Sequence, residues 1–371
     1  MKQLKIFITY EKGATINRIF AYANVLSEYF SIQIIMLTTE EHTMHREMLN
    51  SSVKLDYVFW NGRVSDNFII RFIREFALVH KLSKRLSGAE DIIFVSIPFY
   101  ALIFLPFWKK NKAKKILDIR DLNWEYLESK NFVYKFAKSI LSFFAKQFIP
   151  KYKAVIVTNS FEADWVKVNA KIQPVVIPNG ISEVHYLKLC PDDNSKPEMK
   201  SIKVISYIGN VGIAQNLLRF IKIIRNYPEY EFRIIGHGND YKRIESYLSA
   251  NKVTNVFLEG QISFQQIPLK YGEADILFAQ LDPNFKTAVP SKIFEMLTTN
   301  KPIIYSGEGI AIDVLKKFDN VYYFKTNKDL ADILRYFNQN NCRLSEINNI
   351  LVGNEYIREK SIMKNLQIFT S

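Results

Sequence analysis

The stretch YIGNVGIAQNLLRFIKII, residues 207–224, decides the fold. Its start has the apolar pattern of a strand, Gly209 and Gly212 allow a tight turn with close backbone approach, and the apolar spacing from Ala214 onward is helical. Backbone amides at the start of a helix can bind an anion. A strand, a glycine turn and a helix in this order therefore predict a phosphate-binding loop that includes Asn210. A turn that only packs a helix on a strand has the same spacing. The stretch therefore predicts a strand–turn–helix unit, with phosphate binding as one of two interpretations.

Short apolar runs alternate with helical patterns on both sides of this unit. The strand candidates are LKIFITY, IQIIMLTT, IIFVS, KKILDIRD and AVIVTNS in the first half, and IKVISYIG, EFRIIGHG, NVFLEG, ADILFAQL and KPIIYSG in the second. A polar stretch, PDDNSKPEMKS at residues 191–201, separates the two series. Such alternation is typical of α/β folds with mostly parallel sheets, and 371 residues with 48% hydrophobic side chains suit two cores. We therefore predict two Rossmann-like domains.

A second motif, TAVPSKIFEMLTTNKPIIYSG, occupies residues 287–307. Pro290 suits the first turn of a helix, and Ser291 with the neighbouring amides lies at the positive helix terminus, where a diphosphate is favoured. Lys292 adds a cation there. Glu295 shares the helix face of Ser291 and Lys292 and can reach toward a sugar hydroxyl, although a plain ion pair between Lys292 and Glu295 explains the same spacing.

Four segments together resemble the large glycosyltransferase family four, whose members are retaining enzymes of the GT-B fold. They are VIPNGIS (residues 176–182), YIGNVGIAQN (207–216), IIGHGNDYKRIE (234–245) and PSKIFEMLTTNKPII (290–304). The similarity covers nearly the whole chain. The nearest branch is that of bacterial surface-polysaccharide transferases, because RDL at 120–122 and Ala-Gln at 214–215 resemble N-acetylfucosamine transferases.

This resemblance implies an α/β architecture of the GT-B type with two facing domains. Residues 1–180 would bind the acceptor, residues 181–355 would bind the nucleotide sugar, and a helix in residues 356–371 would cross back to the first domain. The implied reaction moves a hexosyl group from a nucleotide sugar, UDP being favoured, to a lipid-linked glycan such as a polyprenyl-diphosphate-linked one, with retention. Capsule, O-antigen or exopolysaccharide synthesis is the implied setting, and the leaving diphosphate would take the acceptor proton.

The implied donor site follows from the matching positions. Lys292 and Glu295 are also candidate catalytic residues. The family usually carries a glutamate eight positions before the one that Glu295 matches, and this chain has Thr287 there. Residues 214–216 replace an arginine and a lysine that many members place after the glycine loop, so Lys292 and the helix amides carry more of the diphosphate charge. The full set of donor-binding candidates is Gly209, Asn210, Gly212, His237, Val289, Ser291, Lys292 and Glu295.

The acceptor-side candidates lie in the first domain. YEKGATINRIF, residues 10–20, occupies the position of the family's acceptor-side glycine loop, where Gly13 would let a ligand approach the backbone. Lys12 and Arg18 would stabilise negative charge on the bound ligand. The alternative for Arg18 is an exposed position on the following helix. Further along, the segment LDIRDLNWE places a charged pair where a strand ends, which suits an acceptor base or an ordinary turn with a local ion pair. That pair is Arg120 and Asp121, both taken as catalytic candidates, with Asp121 also an acceptor-binding candidate.

Several classes of function are disfavoured by what the sequence lacks. Cys190 and Cys342 are far apart and lack metal-ligand spacing, and the histidines form no cluster, so we expect no metal, no cofactor and no disulfide framework. A nucleic-acid-binding protein is the alternative that charge alone would suggest, but no nucleic-acid-binding motif supports it. A sugar-nucleotide epimerase of the same fold is the alternative enzyme, and it would need a set of acid and base carboxylates.

Positive charge is concentrated in the first half of the chain. Residues 1–180 hold 26 Lys and Arg against 16 Asp and Glu, which gives +10 of the total net charge of +13. This asymmetry favours contact with an anionic membrane surface, and the alternative is a solvated surface of a lysine-rich protein. The apolar N-terminal stretch is of strand length, and the run at residues 92–108 holds two prolines and is short for a span, so we expect neither a signal peptide nor a membrane-spanning helix. A cytoplasmic protein, peripheral on the inner face of the cytoplasmic membrane, is the prediction.

The window of residues 101–150 carries +6 of this charge. Five lysines cluster within it, and an amphipathic helix follows them, with an apolar residue every fourth position. Its apolar stripe would lie in the lipid headgroup boundary or pack against the sheet. The lysines are Lys109, Lys110, Lys112, Lys114 and Lys115, and the stripe is Phe132, Phe136, Ile140, Phe144 and Phe148.

Overall fold

The computed structural model describes residues 1–9, 14–39, 43–60, 68–97, 100–122, 124–125, 132–191 and 202–371. The chain divides into two compact units. Unit 1 comprises Met1–Asn179 together with Arg358–Ser371, and unit 2 comprises Gly180–Ile357. Each unit has its own parallel sheet and is described by itself.

Unit 1 is built on a seven-stranded parallel sheet. Its strands are β1 (Gln3–Thr9), β2 (Ser31–Thr38), β3 (Lys54–Phe59), β4 (Ile92–Ile97), β5 (Lys114–Ile119), β6 (Ala154–Val157) and β7 (Val175–Val176). They lie in the order β3-β2-β1-β4-β5-β6-β7, with Ile6 beside Ile34 on β2 and Phe94 on β4. The order reverses direction between β1 and β4, which is the kind of point where open α/β sheets bind ligands.

Helices cover both faces of this sheet, because its central strands are apolar on both sides. Ile6 packs into one buried cluster and Phe7 into the other, as expected for side chains that alternate along a strand. The helices of unit 1 are α1 (Ala14–Leu26), α2 (Thr43–Glu47), α3 (Phe68–Ser83), α4 (Phe132–Phe148) and α5 (Ser160–Ala170), with 3₁₀ helices at Tyr100–Phe107 and Ile149–Lys151.

Unit 2 is built on a six-stranded parallel sheet. Its strands are β8 (Lys203–Ile208), β9 (Tyr230–Ile235), β10 (Val256–Gly260), β11 (Ile276–Gln280), β12 (Ile303–Ser306) and β13 (Val321–Tyr323), in the order β10-β9-β8-β11-β12-β13. Its helices are α6 (Glu183–Leu189), α7 (Leu217–Ile224), α8 (Tyr241–Ala250), α9 (Ile267–Glu273), α10 (Lys292–Thr298), α11 (Ile310–Leu315), α12 (Asn327–Gln339) and α13 (Asn348–Glu355), with 3₁₀ helices at Ile213–Gln215, Phe264–Gln266 and Pro283–Phe285.

The chain returns to unit 1 after unit 2. Helices α14 (Arg358–Lys364) and α15 (Gln367–Thr370) belong to unit 1. Ile362, Ile368 and Phe369 are buried in the same apolar cluster as Ile6 and Tyr22. The prediction of an α/β fold with two parallel sheets is therefore confirmed. Strands β3, β7 and β13 were not predicted, because β3 mixes charged with apolar residues and the other two are only two and three residues long.

Helix α4 exposes much of the apolar stripe that the sequence suggests. Phe132 and Phe136 are 81% and 61% exposed, whereas Leu141 and Ala145 are buried. A residue every fourth position advances by 400° per step, which exceeds one full circle by about 40°, so the stripe drifts around the helix. The end of the stripe reaches the side that packs on the 3₁₀ helix Tyr100–Phe107, where the rings of Phe144 and Phe148 lie 6.1 and 4.6 Å from that of Phe104. Packing against the core therefore accounts for the last members of the stripe and not for the first ones.

Within the run at residues 92–108, Ile92–Ile97 forms β4 and Tyr100–Phe107 forms a largely buried 3₁₀ helix. Among the residues that the structure describes, no helix is both long and apolar enough to cross a membrane.

Candidate active site

The glycine loop of unit 2 follows β8 and packs directly on the loop that follows β9. A Cβ atom on Gly236, whose φ is +140°, would lie 1.8 Å from the carbonyl oxygen of Gly209. A Cβ atom on Gly238 would lie 2.2 Å from the carbonyl oxygen of Val211. The amide of Val211 donates to the carbonyl of His237 at 3.1 Å. Only glycine allows this backbone-to-backbone contact, which fixes the loop at the carboxyl edge of the sheet.

The helix after this loop begins later than predicted. Residues Ile213–Gln215 form a single 3₁₀ turn, Asn216 adopts a left-handed conformation (φ 43°, ψ 43°), and α7 begins at Leu217 rather than near Ala214. The carbonyl of Asn216 accepts a hydrogen bond from Nε2 of Gln280 at 2.7 Å, which anchors the turn to β11. The helix start is therefore shifted away from Gly209 and Gly212.

Two polar side chains line the glycine loop. Asn210 is exposed, and its Nδ2 donates to Oε1 of Gln215 at 3.4 Å. His237 is exposed and stacks on Tyr241, with 4.7 Å between the ring centroids. The phenol of Tyr207 donates to the carbonyl of Asn210 at 2.6 Å. The loop therefore presents the side-chain amide of Asn210 and the imidazole of His237 to solvent.

The start of α10 lies beside this loop. The Cδ atom of Lys292 would lie 3.3 Å from a Cβ atom placed on Gly209. The helix begins at Lys292, and the amides of Ile293 and Phe294 donate back to the carbonyls of Pro290 and Ser291 at 3.1 Å. The structure thus brings together two motifs that are more than eighty residues apart in sequence. Val289, Pro290 and Ser291 are half-buried in the turn that leads into the helix.

Glu295 is held in place by residues from two other helices. Its Oε2 accepts a hydrogen bond from the phenol of Tyr271 at 3.1 Å and lies 3.5 Å from Nζ of Lys292. Its Oε1 lies 4.0 Å from Nδ1 of His185 on α6. Burial, and then the charge of Glu295, raise the pKa of Tyr271 well above its ordinary value, so this phenol keeps its proton. The predicted ion pair of Lys292 with Glu295 is present, and it is one part of a larger polar group.

Tyr271 and His185 were missed by sequence reasoning. Tyr271 lies 24 residues before Glu295 on a different helix, and His185 lies more than a hundred residues before it. No local spacing connects either residue to Glu295. The only early signal is Ser182, which caps α6 by accepting from the amide of His185 and so fixes where the imidazole starts.

Thr287, at the position where the family has its first glutamate, is buried rather than presented to a ligand. Its side chain is 8% exposed, in the loop between β11 and α10. The neighbouring carbonyl of Lys286 accepts from the amide of Ile310 at 2.9 Å, and Gly309 packs against that carbonyl with a φ of +76°. The loop is therefore tied to the start of α11, and no carboxylate replaces the missing one at this position.

In unit 1 the carboxyl edge of the sheet contains a buried ion pair. Nη2 of Arg18, on α1, donates to Oδ1 of Asp118 on β5 at 2.8 Å, and Oγ of Ser96 on β4 donates to Oδ2 at 2.8 Å. Arg18 also donates to the carbonyl of Pro178 at 3.2 Å and to the phenol of Tyr22 at 3.3 Å. Burial by itself lowers the pKa of Arg18, but Asp118 more than offsets it and leaves the guanidinium charged.

This placement bears on the predictions for Arg18. The alternative of an exposed surface residue is wrong, because Arg18 is 1% exposed. Its guanidinium is committed to Asp118, so acceptor contact stays a prediction without geometric support from this pair. Asp118 was missed by sequence reasoning, and the signal for it is a single carboxylate inside the apolar run of β5. Lys12 and Gly13, the other acceptor-side candidates, lie outside the described residues.

Arg120 and Asp121 follow β5 directly and are half-buried. Behind them lies Glu162 of α5, whose Oε2 accepts from the amide and the hydroxyl of Thr158 at 2.7 and 2.9 Å. Burial, opposed by these hydrogen bonds and assisted by the charge of Asp121, raises the pKa of Glu162 to about 8. The carboxyl edge of unit 1 thus presents Asp121 next to a carboxyl group that keeps its proton at neutral pH.

Among the described residues, no group of three His, Cys, Asp or Glu side chains is placed to hold a metal ion.

Comparison with known proteins bears on unit 2 and on the fold. Residues 192–354 match the family model described as glycosyl transferases group 1, so unit 2 carries a domain of that type. No protein of curated function matches the chain by sequence.

Solved structures match over the full length of the chain. Sucrose-phosphate synthase (tll1590) from Thermosynechococcus elongatus has a TM-score of 0.76 at 12% identity, covering 100% of this chain and 98% of that one. Anabaena Alr3699/HepE in complex with UDP and glucose has a TM-score of 0.72 at 12% identity, with 100% of both chains covered. The lipopolysaccharide outer core galactosyltransferase WaaB, in its apo form, has a TM-score of 0.63 at 13% identity, with 99% of both chains covered. The likeness shows that the fold is that of GT-B glycosyltransferases.

Proposed function

We propose that this chain, whose residues 192–354 form a group 1 glycosyl transferase domain, transfers a hexosyl group from a nucleotide sugar, with UDP favoured, to a lipid-linked glycan with retention. The observation that carries the proposal is the meeting of the glycine loop at Gly209 with Lys292 and Glu295 at the start of α10. A structural relative that contains UDP and glucose, and another described as a lipopolysaccharide galactosyltransferase, support the donor and acceptor classes.

In this proposal the donor diphosphate lies between the glycine loop and α10. Backbone amides near Gly209 and Gly212 approach the phosphates, and Lys292 neutralises their charge. Glu295 accepts hydrogen bonds from sugar hydroxyls of the donor nucleotide. Tyr271 orients the Glu295 carboxylate by donating a hydrogen bond to its Oε2. Val289 and Ser291 border the same helix start, and His237 and Asn210 border the loop.

Catalysis would come mainly from stabilising the leaving diphosphate. Lys292 is the only candidate cation among the predicted donor residues, since Ala214, Gln215 and Asn216 occupy the positions after the glycine loop. Removing one preorganised donor from a developing charge commonly raises an activation barrier by about 3 to 4 kcal/mol. The diphosphate, once formed, takes the acceptor proton, so no protein nucleophile is required.

The acceptor would bind at the carboxyl edge of unit 1. Asp121 with Arg120 is the candidate pair there, and Lys12 and Gly13 remain acceptor-side candidates on the sequence. The apolar, exposed first half of α4 begins at this same edge, because α4 connects the carboxyl end of β5 to the amino end of β6. A peripheral position on the inner face of the cytoplasmic membrane, with α4 at the lipid surface, would bring this edge to a lipid-linked acceptor.

The test is donor binding by titration calorimetry with UDP in the presence of a chelator. Lys292→Ala and Glu295→Ala are each expected to weaken UDP binding about tenfold or more, because each removes a charged hydrogen-bonding partner. Tyr271→Phe is expected to weaken it by a smaller factor, since the carboxylate of Glu295 remains but loses one orienting donor. Binding is expected to persist in the chelator, because the proposed site uses no metal.

The matched control is the pair of Asp313 on α11 and Lys316 directly after its end. It has the same three-residue spacing and is exposed, with 3.6 Å between Nζ and Oδ1. Lys316→Ala and Asp313→Ala should leave UDP binding unchanged. Equal UDP affinity in the wild type, Lys292→Ala and Glu295→Ala would contradict the proposed donor site, and binding that disappears reversibly in chelator would contradict the metal-independent form of it.

A further inference from the structure

A depression of about 340 Å³ lies at the amino edge of the unit 1 sheet and is lined almost entirely by lysine. Its lining residues are Lys112, Ala113, Lys114, Lys115, Lys151 and Lys153. Lys114 and Lys115 begin β5, Lys112 lies just before it, and Lys151 and Lys153 lie just before β6. Pairing of β5 with β6 joins the two groups, since the amide of Lys153 donates to the carbonyl of Lys115 at 2.9 Å.

This set differs from the lysine cluster suggested by the sequence. Lys109 belongs to that cluster, but its Nζ donates to the carbonyl of Leu86 at 2.9 Å, and it does not line the depression. Lys151 and Lys153, which are more than thirty residues further along the chain, take part instead. Sheet pairing therefore creates a denser group of positive charge than the sequence alone indicates.

Two of the ammonium groups in the depression donate to main-chain oxygens, Lys114 to that of Ser371 and Lys115 to that of Ala113. Within the described part of the chain, no Asp or Glu side chain forms an ion pair with any of the five lysines. Burial, and then repulsion from Lys153 and Lys2, lower the pKa of Lys114. Burial also lowers the pKa of Lys115. Ammonium groups held this close repel one another, and an anion bound among them would relieve that repulsion.

Aromatic rings hold two of the ammonium groups in place. Nζ of Lys151 lies 4.1 Å from the centroid of the Phe148 ring and 5.9 Å from that of Phe107. Nζ of Lys115 lies 5.7 Å from the same Phe107 ring and donates to the carbonyl of Ala113 at 3.2 Å. Cation–π contacts of this kind reduce the freedom of long side chains, so the positive groups are partly preorganised for a ligand.

We propose that this five-lysine depression binds phosphate groups. Compact ammonium charges on flexible stems suit several phosphate oxygens at once, and the volume is that of a phosphate cluster rather than of a nucleic-acid duplex. The depression lies at the opposite edge of the sheet from Asp121, so it is distinct from the candidate acceptor site. It adjoins the end of α4 through Phe148, which places phosphate binding at one end of the helix whose first half exposes phenylalanines.

The phosphate can come from an anionic lipid headgroup or from a soluble polyphosphate, and the experiment separates the two. The variant is Lys112→Gln/Lys151→Gln/Lys153→Gln, whose three positions are exposed, so folding should be retained and is checked by thermal denaturation. The control, Lys167→Gln/Lys242→Gln/Lys328→Gln, removes the same charge from three exposed lysines elsewhere. Both are compared with the wild type for binding to inorganic pyrophosphate and to phosphatidylcholine vesicles with and without phosphatidylglycerol.

A loss of about a hundredfold in binding to phosphatidylglycerol vesicles, seen in the depression variant and not in the control, supports the site with a lipid source. A selective loss of pyrophosphate binding supports it with a soluble source. Equal binding by both variants, or no binding of either ligand by the wild type, overturns the proposal. Because the depression belongs to unit 1 and Lys292 and Glu295 belong to unit 2, that outcome would leave UDP binding, and with it the proposed transfer reaction, intact.

Discussion

Glu162 shows how the environment of a single residue can reverse its ordinary chemistry. Its side chain, on α5, is almost fully buried, and among the described residues only Oε2 receives hydrogen bonds, both from Thr158. A carboxylate placed there would be poorly solvated and would face the charge of Asp121. The group therefore keeps its proton up to about pH 8.

This raised pKa predicts how stability depends on pH. In the unfolded chain Glu162 loses its proton near pH 4.5, whereas in the folded chain it keeps it to about pH 8. Between these values the folded state binds one more proton than the unfolded state, so the contribution of Glu162 to stability is greatest below pH 4.5 and falls as the pH rises toward 8. The loss across this window is on the order of a few kcal/mol.

Glu162→Gln should remove this dependence, because the amide oxygen still accepts from Thr158 and the side chain does not ionise. The measurement is chemical denaturation of both proteins at several pH values between 5 and 9. We expect the variant to gain stability relative to the wild type as the pH increases. A constant difference over this range would mean that Glu162 is ionised in the folded protein.

At the scale of a single element, α4 combines a buried face with an exposed aromatic one. Leu141 and Ala145 pack against the core, while Phe136 and Phe143 are 61% and 58% exposed. Lys138 is fixed on a third side by an ion pair with Glu125, at 2.9 Å. A helix with this arrangement is suited to lie along a lipid headgroup boundary while its other face stays attached to the sheet.

Phe136→Ser/Phe143→Ser is therefore expected to change the free energy of unfolding little, because both phenylalanine side chains are exposed to solvent. The same variant should bind phosphatidylglycerol vesicles more weakly than the wild type, as measured by flotation. Leu141→Ala serves as the contrasting variant, since removing a buried leucine should destabilise unit 1 by roughly 2 to 5 kcal/mol. If Phe136→Ser/Phe143→Ser floats with vesicles as the wild type does, α4 is not the lipid-facing element.

For the whole molecule, the important feature is that the chain closes unit 1 with its last residues. Phe369 packs its ring 5.6 Å from that of Phe94 and 6.0 Å from that of Tyr22, deep in one of the two apolar clusters of unit 1. Nη1 of Arg358 donates to the carbonyl of Asn17 on α1 at 3.3 Å. Residues that are more than three hundred positions apart therefore contribute to one core, and unit 1 is complete only when the chain has passed through unit 2.

Phe369→Ala is expected to destabilise unit 1 by about 3 to 5 kcal/mol, because it leaves a cavity between Phe94 and Tyr22. Met363→Ala, on the exposed side of α14, is the control and should shift stability by less than about 0.5 kcal/mol. Denaturation monitored by amide hydrogen exchange would show whether the lost stability belongs to unit 1 or to unit 2. Unchanged protection of β1 and β4 in Phe369→Ala would show that the terminal helices are dispensable for this core.

The sequence by itself determined the architecture and the position of the donor motifs. Apolar runs and glycine turns are local signals, so the two parallel sheets, the glycine loop after β8 and the helix that carries Lys292 and Glu295 could all be predicted. Three-dimensional structure alone decided which distant residues meet: Tyr271 and His185 beside Glu295, Asp118 beside Arg18, and Lys151 and Lys153 beside Lys114. The physical reason is that sheet pairing and helix packing join residues with no regular spacing in the chain, and burial then sets which of their charges persist.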